Sequence, residues 1–90
     1  MLTPEQREEL RTIILEELVA RQGTAPHPRA LRRSVEKGTP FRFTDEDWHA
    51  GLDFLDGAEL VELIPDPVGS TRYPKATPKG ILQTERGGGR

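Results

Sequence analysis

The sequence predicts a small α+β domain, mainly α, in which three helices are followed by a C-terminal two-stranded β-hairpin. Three observations carry that expectation. Apolar residues recur at three- and four-residue steps in three segments between Leu10 and Leu55, which is the period of a helix with one buried face. From Leu60 the period turns strand-like, and a turn-rich stretch separates that run from a returning one. The chain has 90 residues, 33% of them apolar, and no cysteine. That suffices for one packed core, is too short for two domains, and leaves no disulfide or thiolate-bound metal to stand in for packing.

The first helix opens at Thr3-Pro4-Glu5-Gln6. Thr3 suits the capping position, Pro4 the first helical position where a missing N–H costs nothing, and Gln6 can reach back to complete a capping box. Leu10, Ile14 and Leu18 then follow at four-residue steps, widened by Ile13, Leu15 and Val19, and Gly23 ends the run. The connector Thr24-Ala25-Pro26-His27 is too rich in proline to be helical and has room for a very short strand; His27, between two prolines, reads as a loop residue.

A short second helix runs from Pro28 to Lys37, with Leu31 and Val35 on its apolar side and Gly38 as its stop. In the following loop, Phe41 and Phe43 flank Arg42 and are placed to plug the corner between helices. Thr44 caps the third helix, whose first turn holds Asp45, Glu46 and Asp47, where the helix dipole favours negative charge. Trp48, Leu52 and Leu55 face inward at i, i+4 and i+7, which makes Trp48 a core anchor, and Asp56-Gly57 ends the run.

Leu60 to Ile64 is the first strand, Pro65 to Ser70 the loop, and Thr71-Arg72-Tyr73 the returning strand. Pro74 has no N–H to give a ladder, so the returning strand lies at an edge. Tyr73 can pack on the third helix or reach a partner. Thr77 to Gln83 reads as one capped turn docking back on the body. The expected core is Leu10, Ile14, Leu18, Leu31, Val35, Trp48, Leu52, Leu55, Leu60 and Val61.

Helix, connector, basic helix, third helix and hairpin is the element order of the winged helix-turn-helix. The residues carry a closer likeness: Leu52 to Leu63, LDFLDGAELVEL, resembles the "L..L...GLV" boundary between recognition helix and wing in MarR/PadR-type transcriptional regulators. Arg72-Tyr73 followed by Thr77-Pro78-Lys79-Gly80 resembles the "RxY.LTpkG" signature of the same regulators. The resemblance covers about the last forty residues. It implies a winged-helix domain over residues 1–84, with residues 85–90 as a flexible tail, and DNA binding in transcription regulation as the function. The link from Gly38 to Phe43 is longer than a standard helix-turn-helix turn. The long dimerisation helix that follows the glycine in that family has only ten residues left to it here, so the resemblance fixes no oligomeric state.

Charge is segregated along the chain, which carries 13 Lys/Arg and 15 Asp/Glu. Residues 41–66 hold Arg42 as their one base against eight acids, whereas residues 67–90 hold five bases against Glu85 alone. The outward positions of the third helix are Glu46, His49, Asp53 and Asp56, a face that repels phosphate. A grip on double-stranded DNA therefore falls to Arg29, Arg32, Arg33 and Lys37 of the second helix and to Arg72, Lys75 and Lys79 on or after the wing, with Asp53 free to accept from a cytosine amine. The alternative is a protein partner that docks on the acidic third helix through Glu46, His49 and Asp53.

Ser34 and Ser70 are the only serines, and His27 and His49 the only histidines, in no evident catalytic order. No enzyme, catalytic residue or cofactor is expected. Glu46, His49 and Asp53 share one helical side, but an acidic solvated face explains them better than a metal does. Neither a membrane-spanning run nor a secretory leader is present in the sequence, which points to the cytoplasm.

Overall fold

The computed structural model describes residues 2–87. Helix α1 (Pro4–Ala20) starts as its sequence dictates. The Gln6 backbone N–H donates to Thr3 Oγ1 at 3.1 Å, and the Thr3 N–H donates to Gln6 Oε1 at 3.0 Å, so both partners of the capping box are satisfied. The helix ends three residues before Gly23, which adopts φ +89° in the turn that follows. No strand forms over residues 24–27.

Helix α2 (Pro28–Gly38) corrects the reading of His27 as a plain loop residue. His27 is the N-cap: its Nδ1 accepts from the Arg29 N–H at 3.1 Å, a role open only to the neutral ring. Helix α3 (Asp45–Gly57) carries a second capping box, between Thr44 and Asp47. Between α2 and α3, Phe43 stacks on Trp48 with ring centroids 6.0 Å apart, and both phenylalanines of the link pack against the core.

The chain leaves α3 through a turn in which the Leu60 N–H donates to Leu55 O at 2.9 Å and the Glu59 N–H donates to Asp56 O at 3.0 Å. This is the Schellman pattern, and its left-handed position is held by Glu59, φ +64°, where glycine is usual. Strands β1 (Val61–Pro65) and β2 (Arg72–Ala76) then pair antiparallel, Val61 opposite Ala76 and Leu63 opposite Pro74. The returning strand is thus longer than its sequence suggests. Pro74 lies within it, fully buried, as an edge strand of a two-stranded sheet allows.

A fourth helix, α4 (Pro78–Gly87), stands where the sequence predicts one capped turn and, from residue 85, a flexible tail. Residues 85–87 are helical, and residues 88–90 lie outside the described residues. Thr77 ties this helix down twice: its Oγ1 accepts from the Gly80 N–H at 3.0 Å and donates to Glu59 O at 2.6 Å. Gly80 is buried against Leu60 O, so close that a Cβ would collide with that carbonyl. The chain is therefore a small α+β structure, mainly helical, with four helices and one two-stranded antiparallel sheet.

α1 is the spine, packed against α2, α3, α4 and β2. Leu10, Ile14, Leu18, Leu31, Val35, Trp48, Leu52, Leu55 and Val61 are all buried, with Leu60 partly buried beside them. At Gly51 a Cβ would stand 3.2 Å from Ile14 Cδ1, so the missing side chain lets α3 approach α1 closely. Among the described residues no helix is long and apolar enough to cross a membrane.

Candidate functional site

The second helix sorts its cations into two kinds. Leu31 and Val35 are completely buried, and on a 3.6-residue turn Arg29, Arg33 and Lys37, at i, i+4 and i+8, lie on the opposite side. All three are exposed, and none is in an ion pair among the described residues. Arg32, a quarter-turn away, is engaged by the protein's own side chains at the surface. Its guanidinium pairs with Asp45 at the start of α3 and with Glu36 at 3.5 Å, and lies 5.5 Å from the centroid of the Phe43 ring. Hydrogen bonding to Arg32, and then its charge, hold the Asp45 carboxyl below the usual aspartate range. Arg32 thus fastens the α2–α3 corner, a task its sequence position beside Arg33 does not reveal.

The hairpin divides its cations as well. Side chains alternate along a strand, so Arg72 shares a face with Pro74 and Ala76, which are buried against the body, while Lys75 shares the other face with Tyr73. Lys75 stands opposite Glu62 in the ladder, with a carboxylate as its cross-strand neighbour. Lys79 turns back to donate from Nζ to Ala58 O at 3.0 Å, a cation at the carbonyl end of α3. Tyr73 is half-buried, its ring nearly perpendicular to that of His27 with centroids 5.8 Å apart.

α3 presents two flanks. Its core side holds Trp48, 3% exposed, with Gly51, Leu52 and Leu55. Glu46, His49, Asp53 and Asp56 are all exposed, as the period requires. The structure separates the first of these from the next two. Glu46 lines a groove between α1 and α3, whereas His49 and Asp53 line a different one between α3 and the hairpin. Glu46, His49 and Asp53 thus stay on one exposed side of α3 while bordering two different grooves. Among the described residues no group of three or more His, Cys, Asp or Glu side chains gathers as a metal site would need.

The hairpin-side groove, about 450 Å³, brings three elements together. Pro28 comes from the start of α2, His49 and Asp53 from α3, and the hairpin supplies Leu63 from β1, Thr71 from the loop before β2 and Arg72 from β2. Trp48 and Leu52 form its apolar floor. The ridge Arg29–Arg33–Lys37 begins one residue from Pro28, and the contact of His27 with Tyr73 holds that end of α2 against β2. Leu63 and Thr71 were not singled out from the sequence. The alternation of the strand is the signal for Leu63, and adjacency to Arg72 the signal for Thr71. For His27 it is the His-Pro pair, a polar side chain just before a proline at the first helical position.

Asp47 has a different role from the groove acids. Its carboxylate accepts from the Thr44 N–H at 2.9 Å, and that bond to the backbone is the main cause of its lowered pKa.

Compared with protein-family models, with curated proteins and with solved structures, the chain finds no match.

Proposed function

We propose that this chain is a winged helix-turn-helix module that binds double-stranded DNA, as a small transcriptional regulator would. The element order α1, α2, α3, β1, β2 supports the fold reading, with the hairpin as the wing. One observation carries the functional reading: an exposed row of Arg29, Arg33 and Lys37, in no ion pair among the described residues, leads to a groove whose hairpin wall is Arg72. Phosphate contacts by Arg and Lys supply most of the affinity of such a surface and carry no sequence information. The grip is narrower than the sequence suggests, because Arg32 and Lys79 are occupied within the fold and Lys75 faces Glu62. Asp53, on the α3 wall, opposes phosphate and is suited to accept from an exocyclic base amine.

The test is fluorescence anisotropy of a labelled duplex across a salt series. Four phosphate contacts, from Arg29, Arg33, Lys37 and Arg72, give a log–log salt slope of roughly −3.6. Arg72→Gln lowers affinity and flattens the slope by about 0.9. No binding at low ionic strength, or a slope indifferent to Arg72, rejects the reading.

A second reading, a protein-interaction module docking on α3, is favoured by the absence of any ion pair at Glu46, Asp53 and Asp56 among the described residues. In that case Asp53→Lys abolishes capture of a protein partner and leaves duplex binding absent throughout.

A further inference from the structure

Phe54 is 53% exposed although it sits on a helix whose other large apolar residues are buried. It belongs to the row Glu46–Ala50–Phe54, four residues apart, along the flank of α3 that faces away from the hairpin groove. Beside this row runs a groove of about 420 Å³ between α3 and α1. Leu10, Ala50 and Phe54 contribute its apolar lining. Arg7 and Arg11, one turn apart on α1, form one rim, and Arg11 holds its guanidinium 4.0 Å from the centroid of the Phe54 ring. Glu46 and Asp47 stand on the other rim.

We infer that this groove is the contact between two copies of the chain, with α1 of each copy laid over α3 of the other. The reason is the order of charge across it: cations on the α1 side, an apolar strip, carboxylates on the α3 side. A two-fold axis running along the groove turns the basic rim of one copy onto the acidic rim of its mate, and does so twice by symmetry. A two-fold across the groove would set like charges together and is disfavoured. The same rotation brings each Phe54 against the apolar lining of the opposite copy, where an aromatic anchor belongs in an interface. An unrelated partner would need both signs and the apolar strip in this order; a second copy has them already. The inference uses the flank of α3 opposite the hairpin and does not depend on the DNA reading.

Sedimentation velocity over a wide concentration range tests it, with circular dichroism confirming that each variant is folded. The expected result is a shift from one chain mass to two as concentration rises. Glu46→Arg weakens that association at least tenfold, because it sets a new cation against Arg7 and Arg11 of the mate in both symmetric contacts. Arg7→Glu combined with Glu46→Arg in one chain restores it, and Phe54→Ser weakens it without any change of charge. A chain that stays monomeric at every concentration leaves this face to some other partner and overturns the inference. So does a dimer indifferent to both Glu46→Arg and Phe54→Ser.

Discussion

Glu59 closes α3 in the left-handed region, at φ +64°, with its side chain exposed. An L-residue pays a steric cost there that glycine does not. Glu59→Gly is therefore expected to raise stability by about 1 kcal/mol in urea unfolding, despite the greater freedom it gives the unfolded chain. Gly80 is the opposite case. A methyl group at that position meets the Leu60 carbonyl and Leu15 Cδ1, and a backbone carbonyl cannot swing aside as a flexible side chain can. Gly80→Ala is expected to destabilise by about 2 to 3 kcal/mol, a fall of roughly 10 °C or more in Tm. The two residues differ in how well the sequence exposes them. Gly80 stands out within Thr77-Pro78-Lys79-Gly80, whereas Glu59 does not, because Gly57 looks like the stop and the left-handed residue falls two positions later.

At the scale of elements, the starts of α1 and α3 and the ends of α2 and α3 were legible, whereas the His27 cap of α2 and the length of α4 were not. Thr3 with Gln6, and Thr44 with its acidic first turn, signal helix starts through side chains that bond to their own backbone, and α1 and α3 begin where those signals stand. α4 was legible only as a turn. Ile81 is its partly buried anchor, and its attachment comes from Thr77 and Gly80 meeting Glu59 and Leu60, contacts between residues far apart in sequence. The junction of α2 and α3 has a pH signature. Asp45 and Asp47 both have folded-state pKa values below the ordinary aspartate value, through Arg32 and through the Thr44 N–H. A depressed carboxylate pKa contributes stability that is fully present above the unfolded value, about 3.9, and is lost as pH falls through the folded value. Unfolding free energy is therefore expected to be flat with respect to these two groups near neutrality and to drop below about pH 4. Asp47→Asn should reduce that acid-side slope, which a urea series across pH would show.

At the scale of the whole molecule, the linear segregation of charge is partly undone: Arg72 shares a groove with Asp53, Lys75 stands opposite Glu62, and Arg32 pairs with Asp45. The period of α2 already placed Arg29, Arg33 and Lys37 opposite Leu31 and Val35, and that much could be read from spacing alone. What spacing could not show is which cations are consumed by the fold. Arg32 and Arg33 are neighbours in sequence, yet one closes a corner on Asp45 and the other faces outward. The same holds for Glu46 and Asp53, which one helix sends to different grooves. The central claim is that duplex DNA is held by the outward ridge of α2 and by Arg72, and the paired arginines test it most directly. Duplex affinity is to be measured across a salt series for the parent chain, Arg33→Gln and Arg32→Gln, each confirmed folded. The expected result is that Arg33→Gln lowers affinity and flattens the log–log slope by about 0.9, while Arg32→Gln leaves the slope unchanged and lowers thermal stability instead. Equal slopes for all three proteins, or no duplex binding by the parent chain at low salt, would contradict the claim.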